Sequence, residues 1–201
     1  MARPPLGRPR GFDANAALRA ALDVFWQRGL AATSLDDLNQ AMGLSRSSFY
    51  ACFGSKHSLL MAALRCSADE RFAALTAASQ TANARAAVRA MLATIAEVDG
   101  GSHGCFFCNA VAELAPGDAE LVAFAQAHTA RVARLLSATL VRAGCAPAQA
   151  TQRAGAALAL AMGLTTLRKA GVPADVLKPL LAQAEVWWPG KARAARPRQR
   201  T

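Results

Sequence analysis

"SLDDLNQAMGLSRSSFYACFGSK", residues 34–56, decides how this chain is read. Ser34-Leu35-Asp36-Asp37 has the form of a capping box, with Asp in place of the usual Glu. Leu35, Leu38 and Met42 follow at helical spacing, and Gly43 ends the helix. Leu44 fills the turn, and Ser45 caps a second helix whose inward anchors are Phe49 and Phe53, four apart. Gly54 breaks that helix, and Ser55 caps the next. Two short helices across a glycine turn predict a steep crossing that leaves the outer face of the second exposed. That face reads Ser45, Arg46, Ser47, Ser48, Tyr50 and Ala51. Short hydrogen-bonding side chains let a helix sink into a major groove about 12 Å wide. Arg46 can address guanine or a phosphate, Ser47 and Ser48 a base edge or a phosphate, and Tyr50 a phosphate. Lys56, at the next helix N-terminus, adds a cation where backbone N–H groups already favour an anion. An ordinary helical hairpin with a solvated face would share this pattern.

The helical reading extends outward. Leu18, Ala21, Leu22 and Phe25 form one apolar face, with Asp13 as its cap and Gly29 as its stop. The fourth helix runs from Ser55 towards residue 78. Past Asn83 the spacing predicts helices over about 84–98, 104–114, 118–143, 147–170 and 173–187, with Pro179 kinking or splitting the last. No strand pattern appears. The expected fold is all-α: an N-terminal three-helix helix-turn-helix domain over 13–58 and a larger C-terminal effector-binding and dimerisation domain over 59–189. Residues 1–12 read as a flexible basic arm and 190–201 as a disordered basic tail.

The net charge of +10 is uneven: +3 over residues 1–60, +2 over 61–189 and +5 over 190–201. Basic ends point to a polyanion, nucleic acid before membrane, although basic tails also aid solubility alone. No apolar run approaches the roughly 20 residues of a membrane span, and no signal sequence stands at the start. A cytoplasmic protein with five reduced cysteines is expected. No nucleotide loop, nucleophile elbow or carboxylate pair suggests an enzyme, and no cofactor or resident metal is expected.

Residues 21–64 closely resemble the N-terminal DNA-binding domain of the TetR family of bacterial transcription regulators. The matching features are Phe25, Gly29, Thr33-Ser34, Leu38, Gly43-Leu44-Ser45, Phe49-Tyr50, Phe53, Lys56 and Leu59. Cys52 departs from the family, which often has histidine or another polar residue there. The resemblance implies a homodimer on a palindromic DNA operator, most often a repressor released by a small effector. It places Arg46, Ser47, Ser48 and Tyr50 at the recognition helix and Thr33, Ser34 and Lys56 at phosphate-contacting positions, with Ser45 a further DNA-facing candidate from its place on the exposed face. Arg8 and Arg10, in Gly7-Arg8-Pro9-Arg10, suit a narrow A·T-rich minor groove. Dimerisation is expected through helices 147–170 and 173–187, using Ala157, Leu158, Ala161, Met162, Leu164 and Thr165 with Val176, Leu180, Ala184 and Trp187.

An effector pocket is expected among Met91, Ile95, Cys105, Phe106, Phe107, Asn109, Phe124, His128 and Met162, although aromatics and methionines at helical spacing also build cores. "GCFFCNAVAEL", residues 104–114, resembles a segment of one TetR subgroup, matched at Cys105, Asn109 and Glu113. Three readings of it stand open. Cys105 and Cys108 are small core residues. Alternatively Cys105, a thiolate favoured by a helix N-terminus, senses oxidants or electrophiles, with Cys108 resolving. Alternatively His103, Cys105 and Cys108 hold a metal with Glu113 or His128. A non-specific DNA binder or a helical enzyme remain the alternative classes.

Overall fold

The computed structural model describes residues 13–97 and 101–184. Arg8, Arg10, Trp187 and the basic tail lie outside the described residues. Among the described residues all regular structure is helical. The helices are α1 (Ala14–Arg28), α2 (Leu35–Met42), α3 (Arg46–Phe53), α4 (Lys56–Ser79), α5 (Ala84–Ala96), α6 (Phe106–Leu114), α7 (Ala119–Arg142), α8 (Pro147–Lys169) and α9 (Ala174–Ala182). They divide into two compact units that meet between Cys66 and Ser67, within α4. The expected boundary at 58/59 falls earlier on the same helix.

In the first unit, polar caps set the helix starts and glycines the stops. The Asp13 carboxylate accepts from the backbone N–H of Asn15 at 3.0 Å and of Ala16 at 3.1 Å. The capping box at Ser34 and Asp37 forms in both directions. Gly43 sits in the left-handed region at φ 66°, where an L side chain is strained, and this lets the chain turn after one residue. Ser45 then caps α3, accepting from the Ser48 N–H at 3.1 Å. Helices α1 and α2 pack together. Ala17, Ala21, Phe25, Leu38, Phe49, Leu59, Ala63 and Leu64 are buried apolar residues of this unit.

In the second unit α5, α7 and α8 pack pairwise, α6 packs on α7, and α9 on α8. The core joins Leu75 of α4 with Val88, Met91, Leu92, Val132, Leu136, Leu140, Ala161 and Leu164. Two expectations are corrected here. Helix α9 ends at Ala182 rather than 187, with Pro179 inside it, and a 3-10 turn follows at 183–184. The inner and outer faces of α8 are exchanged: Ala157, Leu158, Ala161, Leu164 and Thr165 are buried within the chain and Met162 is half-buried. The face of α8 left exposed carries Gln152, Ala156, Ala159, Gly163, Thr166 and Leu167. On α9, Val176 and Leu180 are exposed, and Ala184 in the turn after it is buried.

Candidate nucleic-acid interface and effector cavity

Helix α3 buries one side chain, Phe49, whose ring meets Tyr50 edge-on at 5.4 Å and Phe53 at 5.8 Å. The rest of its first two turns is open to solvent: Ser45, Arg46, Ser47, Ser48 and Tyr50 are all exposed. The hydroxyls of Ser47 and Ser48 each lie 2.9 Å from that of Ser45. Arg46 donates to both oxygens of Asp36 on α2, at 2.9 and 3.0 Å, and this carboxylate raises the Arg46 pKa. Ion pairs this exposed exchange readily with other anions. The expected DNA-facing residues of α3 therefore share one solvent-exposed surface.

The flanking positions divide. Ser34 is exposed, its hydroxyl donating to Asp37 at 2.6 Å. This bond, foremost among several, holds the Asp37 carboxyl below its usual range. Lys56 is half-buried, its ammonium 3.5 Å from the Ala31 carbonyl. Thr33 is a correction. Only 2% exposed, it turns inward and donates its hydroxyl to the Gly29 carbonyl at 2.7 Å, so its side chain fastens the α1–α2 turn instead of facing a phosphate.

The second unit contains a partly open cavity of about 40 Å³. Of the expected effector residues, Ile95, Cys105, Phe107, His128 and Met162 line it, together with Cys108. Met91 is wholly buried in the core, and Phe106, 2% exposed, does not line the cavity. Phe124 stands behind the wall, stacked on His128 at 5.9 Å. Asn109 is a fastener: its amide donates to the His103 carbonyl at 2.8 Å and accepts from Lys169 at 3.0 Å.

Arg71 also lines the cavity and escaped the sequence reading. The signal was present, since Arg71 continues the buried register of Leu64, Ala68 and Leu75 on α4. It bonds Glu97 at 2.8 Å. Glu97, at φ 42°, closes α5 and also meets Arg168 at 3.4 Å, while Arg168 donates to the Gly101 carbonyl.

Gly104, at φ 74°, turns the chain into α6. A Cβ there would stand 3.2 Å from the Lys169 side chain, which would have to shift, and the positive φ itself favours glycine. Cys105 then becomes the N-cap of α6. Its thiol is lowered to about 6 by the hydrogen bond from the Cys108 thiol, against the effect of burial. Arg71 and the N–H groups of Cys108 and Phe107 lower it further. Cys108 is pushed up by giving that hydrogen bond and by burial, so Cys105 is the thiol of the pair that ionises more readily. Burial and the neighbouring Arg131 lower the His128 pKa, which leaves a neutral imidazole. Among the described residues no three His, Cys, Asp or Glu side chains are grouped to hold a metal. No described helix is long and apolar enough to cross a membrane.

A helix-turn-helix unit followed by a larger helical unit with a cavity defines an all-α fold. Residues 17–63 match the family model of the bacterial regulatory proteins, tetR family. The chain is 36% identical over 121 residues to the HTH-type transcriptional repressor ComR of Escherichia coli K12, a match that spans 57% of each protein. Curated relatives are thus matched over little more than half their length at most. In fold it is similar to a cysteine mutant of the TetR family regulator CifR complexed with 26-bp operator DNA. That likeness has a TM-score of 0.74 at 28% identity and covers 91% of this chain and all of that one. The reduced form of E. coli NemR shares the fold, with a TM-score of 0.74 at 22% identity over 86% of this chain and 94% of the other. The chain is therefore similar to TetR family regulators in sequence across its first unit and in fold across nearly all its length.

Proposed function

We propose that this protein is a TetR family transcriptional repressor that binds a palindromic operator as a homodimer and is released by a small effector. The observation that carries the reading is α3, anchored by Phe49 and presenting Ser45, Arg46, Ser47, Ser48 and Tyr50 to solvent within the family-matched region. ComR is a repressor and CifR is seen on operator DNA, which supports the same role here. Arg8 and Arg10 add minor-groove contacts from the arm, and Ser34 and Lys56 contact phosphates. The outward face of α8, with Ala156, Ala159 and Gly163, and Val176 and Leu180 of α9 pair two copies. Two recognition helices then meet half-sites about 34–36 Å apart. An effector that favours another spacing shifts the population off DNA.

A second reading concerns the trigger. Cys105, poised as a thiolate against the cavity, supports a thiol-based regulator, in keeping with the Cys105, Asn109 and Glu113 pattern. Selection of bound DNA from a random library with the purified protein tests the main reading. A palindrome is expected; enrichment of no sequence, with affinity set by salt alone, overturns it in favour of non-specific binding.

A further inference from the structure

We infer that Cys105 and Cys108 form a two-electron redox pair that a small hydroperoxide converts to a disulfide within the first turn of α6. Cys105 attacks and Cys108 resolves. The inference rests on the cavity being the sensing site of the second unit.

Three observations carry it. The first is placement. Cys105 is the N-cap of α6 and Cys108 its third residue, and side chains three apart on a helix are neighbours. Both residues also line one and the same cavity wall. The second is asymmetry. Arg71 lines the same cavity as both cysteines, and its charge with the N–H groups at the start of α6 favours the Cys105 anion, while burial disfavours that of Cys108. One sulfur is thus an anion ready to attack, and the other a thiol waiting to resolve. The third is access. Both sulfurs line the same cavity, whose other walls include Leu75, Ile95, Val132 and Leu158. Its volume of about 40 Å³ holds on the order of three water-sized groups. Hydrogen peroxide fits within that volume, and a bulkier aryl-substituted hydroperoxide exceeds it.

The chemistry balances. The Cys105 thiolate attacks one peroxide oxygen, the O–O bond breaks, and the leaving hydroxide takes a proton to become water. Cys105 is then a sulfenic acid. The Cys108 thiol gives up its proton as its sulfur attacks that of Cys105. The S–S bond forms, the S–O bond breaks, and a second water leaves. The two sulfurs lose two electrons and the peroxide gains them. Arg71 begins with two anionic neighbours, the thiolate and Glu97, and ends with Glu97 alone. Arg71 is a positioning residue: it holds Cys105 ionised and registers the loss of that charge.

The test treats reduced full-length protein with equimolar hydrogen peroxide and follows intact mass and dimedone labelling. The wild type is expected to lose two hydrogens and to regain them with dithiothreitol. Cys108→Ser is expected to carry dimedone on Cys105, and Cys105→Ser to form neither the disulfide nor a sulfenic acid at Cys108. Arg71→Met should raise the pH midpoint of the Cys105 reaction, which a purely structural arginine would not do. Cumene hydroperoxide should react at least ten times more slowly. An unchanged mass, a disulfide through other cysteines or between chains, or equal rates with both peroxides overturns the proposal. Operator binding is read separately. At least a tenfold loss on oxidation is expected. Equal binding by both forms sinks the switch and leaves the repressor reading standing. A reduced protein that selects no operator sinks the repressor reading and leaves the thiol result intact.

Discussion

Phe49→Ala should undock the recognition helix without disturbing the second unit. Helix α3 has eight residues, below the length at which an isolated helix holds in water. Phe49 is its one fully buried side chain, with no exposed surface. Truncating a buried phenylalanine to alanine costs about 3–5 kcal/mol. The edge-on contact with Tyr50 and the tilted one with Phe53 bring that towards the upper end, since each aromatic pair is worth about 0.5–1.5 kcal/mol. Three kcal/mol is a factor of roughly 100 in the docking equilibrium of the helix. Because only the docked form reads DNA, operator affinity should fall by the share of that factor not absorbed by spare stability, at least tenfold. Phe49→Leu, which keeps most of the apolar volume, should cost about 1 kcal/mol and keep affinity within several-fold. Fluorescence anisotropy on the selected operator gives affinity, and calorimetric melting gives stability. A Phe49→Ala protein that binds and melts like the wild type would show that α3 is held by something other than this ring.

Arg46→Ala should lower the salt slope of operator binding by about 1 if Arg46 meets a phosphate, whereas Thr33→Val should leave that slope unchanged and lower the melting point. Gly163→Trp tests the α8 face. A Cβ at Gly163 meets nothing within 4 Å in the chain, so the variant should fold normally yet elute as a monomer in light-scattering chromatography. The lowered His128 pKa sets a pH dependence. The unfolded state binds the proton more readily, so the second unit is most stable above the unfolded histidine value of about 6.5 and weakens as pH falls through it. His128→Gln should flatten that acid limb in melts taken between about pH 5 and 8, the range in which a histidine changes charge.

What could be read in the sequence was local. Asp13, Ser34, Ser45 and Ser55 announce helix starts through chemistry confined to one turn, and Gly43 announces a stop. Faces with strong contrast were also legible: in α3 the phenylalanines point in and the serines out. Helix α8 had no such contrast. Alanine, glycine and leucine occupy both of its sides, so periodicity could not say whether Ala157 or Ala156 faced the core. Thr33 was misplaced because a threonine hydroxyl serves equally well facing a phosphate or capping a carbonyl, and only the turn after Gly29 decides. Arg71 was passed over because a charge on an apolar face reads as an interruption. Its partners, Glu97 and Cys105, lie far away in sequence and come together only through the tertiary fold.

The end of α8 has a mechanical consequence. Arg168 grips Glu97 and the Gly101 carbonyl, and Lys169 grips Asn109, so adjacent residues hold both sides of the loop that presents Cys105. The same helix carries the exposed Ala156, Ala159 and Gly163. Were two copies to pair on α8, that one helix would join their interface to the loop bearing Cys105, and linkage would make any coupling mutual. Protein concentration should tune how fast Cys105 reacts, and oxidation should tune how firmly copies associate, so that the cell's stock of this protein helps set its own trigger threshold.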